Sequence, residues 1–374
     1  MNRVAHIAIH HATDARIFHR EAQCLQELGW HVTVAAAHPA DETREGIQIR
    51  RFDRSDNRLK RMLTSWWHAL GMVRAIDADI YHFHDPALLP TALLAKTFLG
   101  KKVVFDAHED VGLLFLRDWL PDWAKRPLVA VMDAVDRYCA RRMDGWVVTT
   151  FRHEEYYRRL THRLTVFHNF PAPRFLQARD QAWLPYEQRE NNIIHLGTIS
   201  LPRLRILVEI ARRFLADYPD WKFIILGMHP PMLEWFKQHV TGNICDRLVG
   251  IGKIPHEDVA QHLCKARIGV NYHKVGSRQI QHVIPLKVFE YLASGLPTIT
   301  TKVPALYELI HDCPAVTWAP EDVDKYYAQL AALVNRNDRN NLSQVGPDYC
   351  AKHIDCRSEA IKLSDMYNQI LKRQ

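Results

Sequence analysis

The stretch VIPLKVFEYLASGLPTIT, Val283 to Thr300, decides the fold because it joins a helix with a defined start to a β-branched strand. Pro285 is preorganised for a first helical turn, so the amides of Leu286 to Val288 point outwards at the positive end of the helix dipole. Lys287 adds a full charge there, and Glu290 lies about one turn later on nearly the same face. The pattern indicates an anion site beside a carboxylate that accepts from vicinal hydroxyls, but it also fits a surface Lys–Glu pair.

The same alternation of β-rich runs and helical patterns recurs along the whole chain. In the first half the runs are VAHIAIH, HVTVAAA, IQIRRF, DIYHFHD, KVVFDAH, GWVVTT and LTVFHN. In the second half they are NIIHLGT, KFIILG, LVGIGKI, IGVNYH, LPTITT and AVTWA. One helix is expected from Ala15 to Leu28, with Asp14 as its cap and Gly29 after its end. The alternation predicts an α/β architecture of two parallel-sheet domains in series, each with about six strands.

The domain boundaries follow from a break in this alternation. A chain of 374 residues is too long for one ordinary core, and the pattern pauses after Asn169 in a segment rich in proline and charge. We predict an N-terminal domain over residues 1–170, a linker over 171–190 and a C-terminal domain over 191–355. The closing segment, 356–374, is expected to be a helix.

The composition narrows the classes of partner and compartment. A net charge of +7 suits an anionic small molecule, a nucleic acid or an anionic membrane surface, but the lack of zinc spacing and of RNA-binding motifs disfavours nucleic acid. No apolar run reaches the roughly 18 residues of a membrane span. The seven cysteines are scattered without a CxxC, which favours a reduced, cytoplasmic compartment. GxGxxG and P-loop motifs are absent, yet parallel sheets still predict a ligand at the carboxyl ends of their strands.

The segment PLKVFEYLASGLPTI resembles the nucleotide-sugar motif P-x-K-x-F-E-Y-x-A-x-G-x-P of GT-B-fold glycosyltransferases, family 4, the group 1 family. Other stretches match in the expected order: DARIFHREAQCLQELGWHVTVAA, FHDPALLPTALLAKTFLGKKVVFDAHED, IHLGTISLPRLRILVEIARRF and LVGIGKIPHEDVAQHLCKARIGVNYH. The resemblance covers nearly the whole chain. It implies two Rossmann-like domains facing a central cleft, an N-terminal acceptor domain and a C-terminal donor domain, with the helix of 356–374 returning to the N-terminal domain.

The resemblance implies roles for residues on the donor side. Glu290 matches the glutamate that binds the ribose hydroxyls, while Arg203 and Lys287 match basic residues near the diphosphate. Together with the amide of Leu286, these cations would stabilise the charge that builds on the departing nucleoside diphosphate. The simpler alternative for Arg203 is a solvated loop residue.

Three further donor contacts are implied, and one departs from the family pattern. The main chain of Lys253 and Ile254 matches the loop that holds the base, and Gly197 matches the glycine that lets the backbone approach the donor. His282 stands where the better-known family motif has a second glutamate, which leaves the identity of the donor sugar open. His282 contacts the sugar or diphosphate, or simply lies in the loop.

The acceptor side is implied by the segment VVFDAHED. His108 matches a histidine that contacts the donor sugar near the reaction centre; the alternative is an ordinary loop histidine. Of the neighbouring carboxylates Asp106, Glu109 and Asp110, one is expected to hydrogen-bond the acceptor hydroxyl.

The sequence predicts neither a metal site nor a required cofactor. His82 and His84 lie at i and i+2 on one face of a strand, but a third ligand cannot be placed from the sequence. Asp77 to Asp79 mimics the metal-binding Asp-x-Asp of another glycosyltransferase fold, and before a strand in a GT-B layout we interpret it as a loop. A helix start and basic side chains suffice to neutralise a diphosphate.

The function implied by the resemblance is transfer of a sugar, with retention of configuration, from a UDP-, GDP- or other nucleotide sugar to an acceptor hydroxyl. The expected acceptor is a glycan or lipid-linked glycan, in bacterial-type assembly of cell-surface polysaccharide or glycolipid such as capsule or lipopolysaccharide. Two alternatives remain: a non-catalytic subunit that binds nucleotide sugars, and a GT-B epimerase or hydrolase.

Two basic, aromatic segments, RLKRMLTSWWHALGMVR and FLRDWLPDWAKRP, fit contact with the anionic inner face of a membrane. For the first segment, a core-packing helix with a solvated basic face is the preferred interpretation.

Overall fold

The computed structural model describes residues 1–52, 58–107, 122–276, 280 and 283–372. The chain divides into two compact units. The first comprises Met1–Ala172 together with Cys356–Gln374, and the second comprises Pro173–Asp355. Each unit has its own sheet and its own hydrophobic core, which confirms the α/β fold with two Rossmann-like domains.

The first unit is built around a mostly parallel sheet. Its strands are β1 (Arg3–His11), β2 (His31–Ala37), β3 (Glu42–Arg44), β4 (Ile47–Phe52), β5 (Ile80–Phe83), β6 (Val103–Ala107), β7 (Gly145–Val148) and β8 (Leu164–Val166). Among the described residues they form one eight-stranded sheet in the order β3-β4-β2-β1-β5-β6-β7-β8. Only the β3–β4 pair of this sheet is antiparallel.

The second unit has a smaller sheet, parallel throughout. Its strands are β9 (Asn192–Leu196), β10 (Lys222–Met228), β11 (Leu248–Gly252), β12 (Ile268–Asn271), β13 (Thr298–Thr301) and β14 (Val316–Ala319). In the described part of this unit they form six strands in the order β11-β10-β9-β12-β13-β14. This is the order 3-2-1-4-5-6 of a doubly wound sheet, in which the chain reverses its direction of winding between β9 and β12.

Helices cover both sheets. Those of the first part of the chain are α1 (Gln23–Glu27), α2 (Arg58–Ala75), α3 (Leu89–Thr97), α4 (Asp122–Arg142) and α5 (Phe151–Tyr157). The second unit contributes α6 (Pro173–Ala182), α7 (Leu201–Asp217), α8 (Pro230–His239), α9 (His256–Lys265), α10 (Leu286–Ala293), α11 (Pro304–Ile310), α12 (Val323–Val334) and α13 (Arg339–His353). The last helix is α14 (Cys356–Leu371).

The first predicted helix has an irregular start. Asp14 Oδ1 accepts from the amides of Arg16 and Ile17, at 2.8 and 3.1 Å, but the N-cap position itself is Arg16, which makes no side-chain cap hydrogen bond. The helix then opens with a wider π-helical turn, Ile17–Ala22, before α1, and it ends at Gly29, whose φ is +89°. The expected helix from Ala15 to Leu28 is thus replaced by a π-helical turn and a short α1, with Arg16 as N-cap, while Asp14 still binds amides at the start of the turn and Gly29 follows the end.

The closing helix α14 belongs to the first unit, as the resemblance implied. Its apolar face is buried, and Glu359 Oε2 accepts a hydrogen bond from the amide of His168 at 2.9 Å. Trp30 Nε1 donates to Ser364 Oγ at 2.9 Å on the other side of the helix. The last helix of the chain thereby completes the core of the first unit.

The segment expected as a linker, residues 171–190, contains α6 and a 3₁₀ turn, Tyr186–Gln188. Pro173 starts α6 and Phe175 is buried, which explains a helix where the sequence shows no clear period.

All seven cysteines are free thiols; six are buried and Cys245 is exposed. Within the described residues, no helix combines the length and the apolarity that crossing a membrane requires.

Candidate functional site

The candidate site lies at the carboxyl edge of the second sheet, where the winding reverses. The ends of β9 and β12 are adjacent there, and the loops that follow them diverge to opposite faces of the sheet. A crevice opens at such a point in doubly wound sheets and is where they usually bind ligands.

Helix α10 begins beside this edge. Leu286 is its first residue and Pro285 its N-cap, so the proline stands one position earlier than the sequence suggested. Among the described residues, no side chain caps this helix start. The Val288 amide donates to the Pro285 carbonyl at 3.1 Å, which corrects the expectation that it points outwards. The first two amides, those of Leu286 and Lys287, remain the candidates for an anion.

Lys287 turns its amine towards the end of β9. Its Nζ lies 3.3 Å from His195 Nε2. The other ring nitrogen of His195, Nδ1, lies 3.0 Å from the Val270 carbonyl oxygen, which can only accept, so Nδ1 carries the proton. His195 is therefore the neutral tautomer that accepts from the ammonium group of Lys287.

Arg203, near the start of α7, brings a second cation to the same edge. Its Nη1 lies 3.0 Å from His273 Nδ1, just past β12, and its Nη2 donates to the Thr198 carbonyl at 2.8 Å. Arg203 Nε is buried and has no hydrogen-bond partner among the described residues. His195, Arg203, His273 and Lys287 together are called the basic cluster.

Burial and mutual repulsion disfavour positive charge in the basic cluster. Burial, and then the Arg203 guanidinium, lower the pKa of Lys287 to about 7, although Glu290 opposes the shift. Burial, followed by Arg203 and Lys287, lowers the pKa of His273 to about 3. Burial and then Lys287 hold the pKa of His195 well below its usual value. An anion bound here would relieve the repulsion between the remaining charges.

Gly197 gives the basic cluster room. It follows β9 with φ at +93°, a region that residues with a side chain rarely adopt. A Cβ atom at this position would lie 3.5 Å from Lys287 Nζ, against the amine itself. A side chain at this position would be strained by the backbone and would touch the amine, and the role of Gly197 in donor approach stays a prediction.

Glu290 and Tyr291 occupy the next turn of α10. Glu290 is 6% exposed, and its negative charge attracts the Lys287 ammonium group. The Tyr291 hydroxyl accepts from the Leu196 amide at 2.6 Å and lies 3.3 Å from the Val270 carbonyl oxygen, so it links α10 to β9 and β12. This bond fixes the helix start relative to the two strand ends that flank the crevice.

Lys253 and Ile254 follow β11, the edge strand of the same sheet. Lys253 is exposed and Ile254 is half-buried, in the short loop before α9. Because β11 is two strands away from β9, this loop lies roughly 10 Å from the basic cluster across the sheet. The separation suits a base bound at a distance from its phosphates.

The predicted residues of the first unit are only partly described. Asp106 is buried at the end of β6, where its two oxygens accept from Arg16 at 2.7 and 2.8 Å. His108, Glu109 and Asp110 lie outside the described residues, as does His282 of the second unit. The chemistry proposed for these four residues therefore rests on the sequence alone.

Two members of the basic cluster, His195 and His273, were not predicted from the sequence. The available signal was a polar residue inside the otherwise apolar run NIIHLGT, and another at the end of IGVNYH. Both histidines lie at the carboxyl ends of buried parallel strands, where polar side chains usually bind a ligand.

The sequence matches two protein families, one for each unit. Residues 15–169 match the family described as Glycosyl transferase 4-like domain, and residues 190–336 match Glycosyl transferases group 1. No curated protein matches the sequence of this chain.

Solved structures with the same fold include several glycosyltransferases. Sucrose-phosphate synthase from Thermosynechococcus elongatus is 15% identical with a TM-score of 0.75, and 100% of each chain is covered. The catalytic domain of starch synthase IV from Arabidopsis thaliana, bound to ADP and acarbose, is 11% identical with a TM-score of 0.66 and 100% coverage of both chains. An alpha-glucosyltransferase in complex with UDP-glucose and DNA is 14% identical, with a TM-score of 0.62 and 99% coverage of both chains. The two family matches and the two doubly wound sheets show that this chain belongs to the GT-B glycosyltransferases.

Proposed function

We propose that this chain is a retaining glycosyltransferase of family 4 that takes its sugar from a nucleotide-sugar donor bound at the carboxyl edge of the second sheet. The observation that carries the donor site is the basic cluster beside the start of α10. Two cations, Arg203 and Lys287, lie there in buried surroundings, and Arg203 Nε has no hydrogen-bond partner among the described residues. A diphosphate supplies the negative charge and the acceptor oxygens that this arrangement lacks.

The remaining donor contacts follow from this placement. With the diphosphate between Gly197 and the amides of Leu286 and Lys287, Glu290 faces the ribose one turn further along α10. The main chain of Lys253 and Ile254 receives the base. Support for a nucleotide comes from the structural relatives, since the starch synthase IV structure contains ADP and the alpha-glucosyltransferase structure contains UDP-glucose.

The reaction breaks the bond between the anomeric carbon and the diphosphate oxygen and forms a bond from that carbon to the acceptor oxygen on the same face. The acceptor proton passes to the departing phosphate oxygen. Arg203 and Lys287 stabilise the negative charge on that oxygen, which is the largest contribution the protein makes to the rate. His108 and His282 are proposed to contact the sugar, and Glu109 or Asp110 to orient the acceptor. The sequence expectation for Asp106 is wrong, because this carboxylate is buried and both of its oxygens already accept from Arg16.

Calorimetric titration with UDP, GDP and ADP tests the donor site. We expect one nucleotide to be preferred, and Lys287→Met and Arg203→Met each to weaken its binding roughly tenfold or more, because each removes a charge-assisted hydrogen bond. Lys265→Met, at the exposed end of α9, is the matched control and should bind as the wild type does. If no nucleotide binds, or if all three variants bind alike, the donor site is elsewhere.

Product analysis separates transfer from binding alone. With the sugar nucleotide of the preferred base and a glycan acceptor, the anomeric proton coupling in the product should match that of the donor. Binding without transfer to any acceptor would favour a non-catalytic subunit, and release of free sugar would favour a hydrolase.

We also propose that the acceptor is lipid-linked and that the first unit contacts the anionic cytoplasmic face of a membrane. The reaction would then belong to the assembly of cell-surface polysaccharide or glycolipid. Helix α4 exposes Trp123, Val131 and Tyr138 in a basic segment, and α2 exposes Trp67. Its neighbour Trp66 instead packs inwards and donates to the Ala87 carbonyl at 2.6 Å. The protein should float with vesicles that contain phosphatidylglycerol, and Trp123→Ser should reduce flotation; equal recovery with neutral vesicles would contradict the proposal.

A further inference from the structure

Four buried side chains that the proposed reaction does not use converge at the centre of the first sheet. His6 lies on β1, His82 on β5 and His84 just beyond β5, while Glu21 comes from the π-helical turn before α1. All four are 0% exposed. One potential ligand atom from each lies within 4.8 Å of the others.

The distances between these atoms approach those around a tetrahedral metal ion. Glu21 Oε2 lies 3.5 Å from His6 Nδ1, 3.6 Å from His82 Nδ1 and 3.8 Å from His84 Nε2. His6 Nδ1 and His84 Nε2 are 3.0 Å apart. Bonds of about 2.0–2.1 Å from zinc to nitrogen or oxygen give a tetrahedron with edges of about 3.3 Å. Small side-chain movements would therefore bring all four atoms within bonding distance of one ion.

The hydrogen bonding of the four residues is incomplete. Both carboxylate oxygens of Glu21 are buried and have no hydrogen-bond partner among the described residues, and Oε2 is the one that faces the imidazoles. Arg16 lies 3.1 Å from Glu21 Oε1, but it gives its hydrogen bonds to Asp106 and to two partners at the end of β8. The charge of Arg16 nevertheless neutralises Glu21 from the Oε1 side, while Oε2 faces the three imidazoles without a donor, and a metal ion would supply its partner.

The surrounding residues would orient the ligands of a metal. His84 Nδ1 lies 3.0 Å from Asp106 Oδ2, so His84 presents Nε2 to the cluster with its other nitrogen held by a carboxylate, as metal-bound histidines usually are. Arg16 fixes that carboxylate with two hydrogen bonds. The Tyr367 hydroxyl of α14 lies 2.6 Å from His82 Nδ1. An ion bound at that nitrogen would take the place of this hydrogen bond.

We propose that His6, Glu21, His82 and His84 bind one Zn²⁺ ion in a closed structural site of the first unit. Three imidazoles and one carboxylate form a borderline-soft, four-ligand set that suits zinc, and a site with no open position has a structural rather than a catalytic role. The ion would join β5 to β1 and to the segment before α1, which both come much earlier in the sequence. This proposal does not depend on the donor site.

Metal analysis of the whole protein tests the proposal. Because the ligands are inaccessible in the folded state, the chain is unfolded in guanidinium with a chelator, dialysed, and refolded with Zn²⁺ or without metal. We expect one zinc per chain by mass spectrometry of the metal content, and a higher melting temperature than that of the zinc-free preparation. Refolding with Co²⁺ should give the intense visible absorption of a tetrahedral site.

Matched variants locate the ion. Glu21→Gln and His84→Gln should each reduce the zinc content to near zero. His168→Gln changes another buried histidine, which lies 3.0 Å from Glu359, and should keep one zinc per chain. If the ligand variants fail to fold, the cobalt spectrum of the wild type decides. A wild type that refolds without stoichiometric zinc, or an octahedral cobalt spectrum, would overturn the proposal, and so would full zinc content in folded Glu21→Gln.

Discussion

Lys287 holds its amine where burial and the Arg203 guanidinium both oppose its charge. The ammonium is retained only weakly near neutral pH, because its pKa is lowered to about 7. An anion at the start of α10 reverses this balance, since it favours the protonated form and raises the pKa again. Donor binding and proton uptake by one lysine are thus coupled.

This coupling predicts how donor affinity changes with pH. Below pH 7 the free protein already carries the proton, so the affinity for the preferred sugar nucleotide should be constant. Above pH 7 binding must take up a proton, and the affinity should fall by up to about tenfold per pH unit. Lys287→Arg keeps its charge throughout and should remove most of this dependence. A wild-type affinity unchanged from pH 6 to 9 would show that donor binding is not coupled to proton uptake by Lys287 in this range.

A second prediction concerns Glu290 and the ribose. Glu290→Gln keeps the volume of the side chain but removes the charge that strengthens two hydrogen bonds to vicinal hydroxyls. We expect the variant to bind the preferred nucleotide about tenfold more weakly. Its affinity for the 2′,3′-dideoxy form should equal that of the wild type, because the hydroxyls are already gone. Equal losses for both nucleotides, measured by calorimetry, would indicate general damage to α10 instead.

The sequence revealed part of this site. Lys287 and Glu290 stand three positions apart on one helix, so helical spacing alone places them together. His195 and His273 are separated from Lys287 along the chain and meet it only because β9 and β12 are neighbours in the sheet. No local pattern contains that information, because strand order is set by packing of the whole unit.

At the scale of secondary structure, a glycine allows α13 to pack closely against α10. Gly346 of α13 lies against its last turn, where a Cβ atom would stand 2.8 Å from the Leu292 carbonyl oxygen. Gly71 of α2 is also helical, but a Cβ atom there would have no neighbour within 4 Å among the described residues. A substitution at Gly71 therefore changes helix propensity alone, whereas one at Gly346 also changes the packing of two helices.

Alanine should have opposite effects at these two positions. Gly71→Ala should raise the free energy of unfolding by up to about 1 kcal/mol, because alanine favours helix. Gly346→Ala should lower it by about 1–3 kcal/mol, because α13 must move away from α10. Urea unfolding followed by circular dichroism measures both. A stabilising Gly346→Ala would mean that the two helices separate without cost.

The strands were predicted well, and the irregular elements were not. HVTVAAA became β2 and IQIRRF became β4, both with unchanged ends. The first is a nearly continuous apolar run typical of a strand buried on both faces, and the second mixes buried β-branched or aromatic residues with exposed arginines. Strand β3 was missed, since its three residues are all exposed and carry no apolar signal. Alternation alone cannot reveal an antiparallel edge strand of that length.

At the scale of the whole molecule, the first unit depends on the last helix of the chain. Truncation after Asp355 removes α14 and exposes the surface that Leu363 and Met366 cover. We expect the melting transition of the first unit to fall by many degrees or disappear, while the second unit still binds the preferred nucleotide. Truncation after Leu371 is the control and should change neither property. If removal of α14 left calorimetric unfolding unchanged, the helix would contribute little to the first core.

The single exposed thiol offers a practical handle on the protein. With the other six cysteines enclosed, a maleimide fluorophore should attach at Cys245 alone, so the native chain can be labelled without removing any cysteine. The same thiol makes the protein prone to cross-link into covalent pairs when stored in air without a reducing agent. Cys245→Ser should prevent both reactions, and a non-reducing gel would show it.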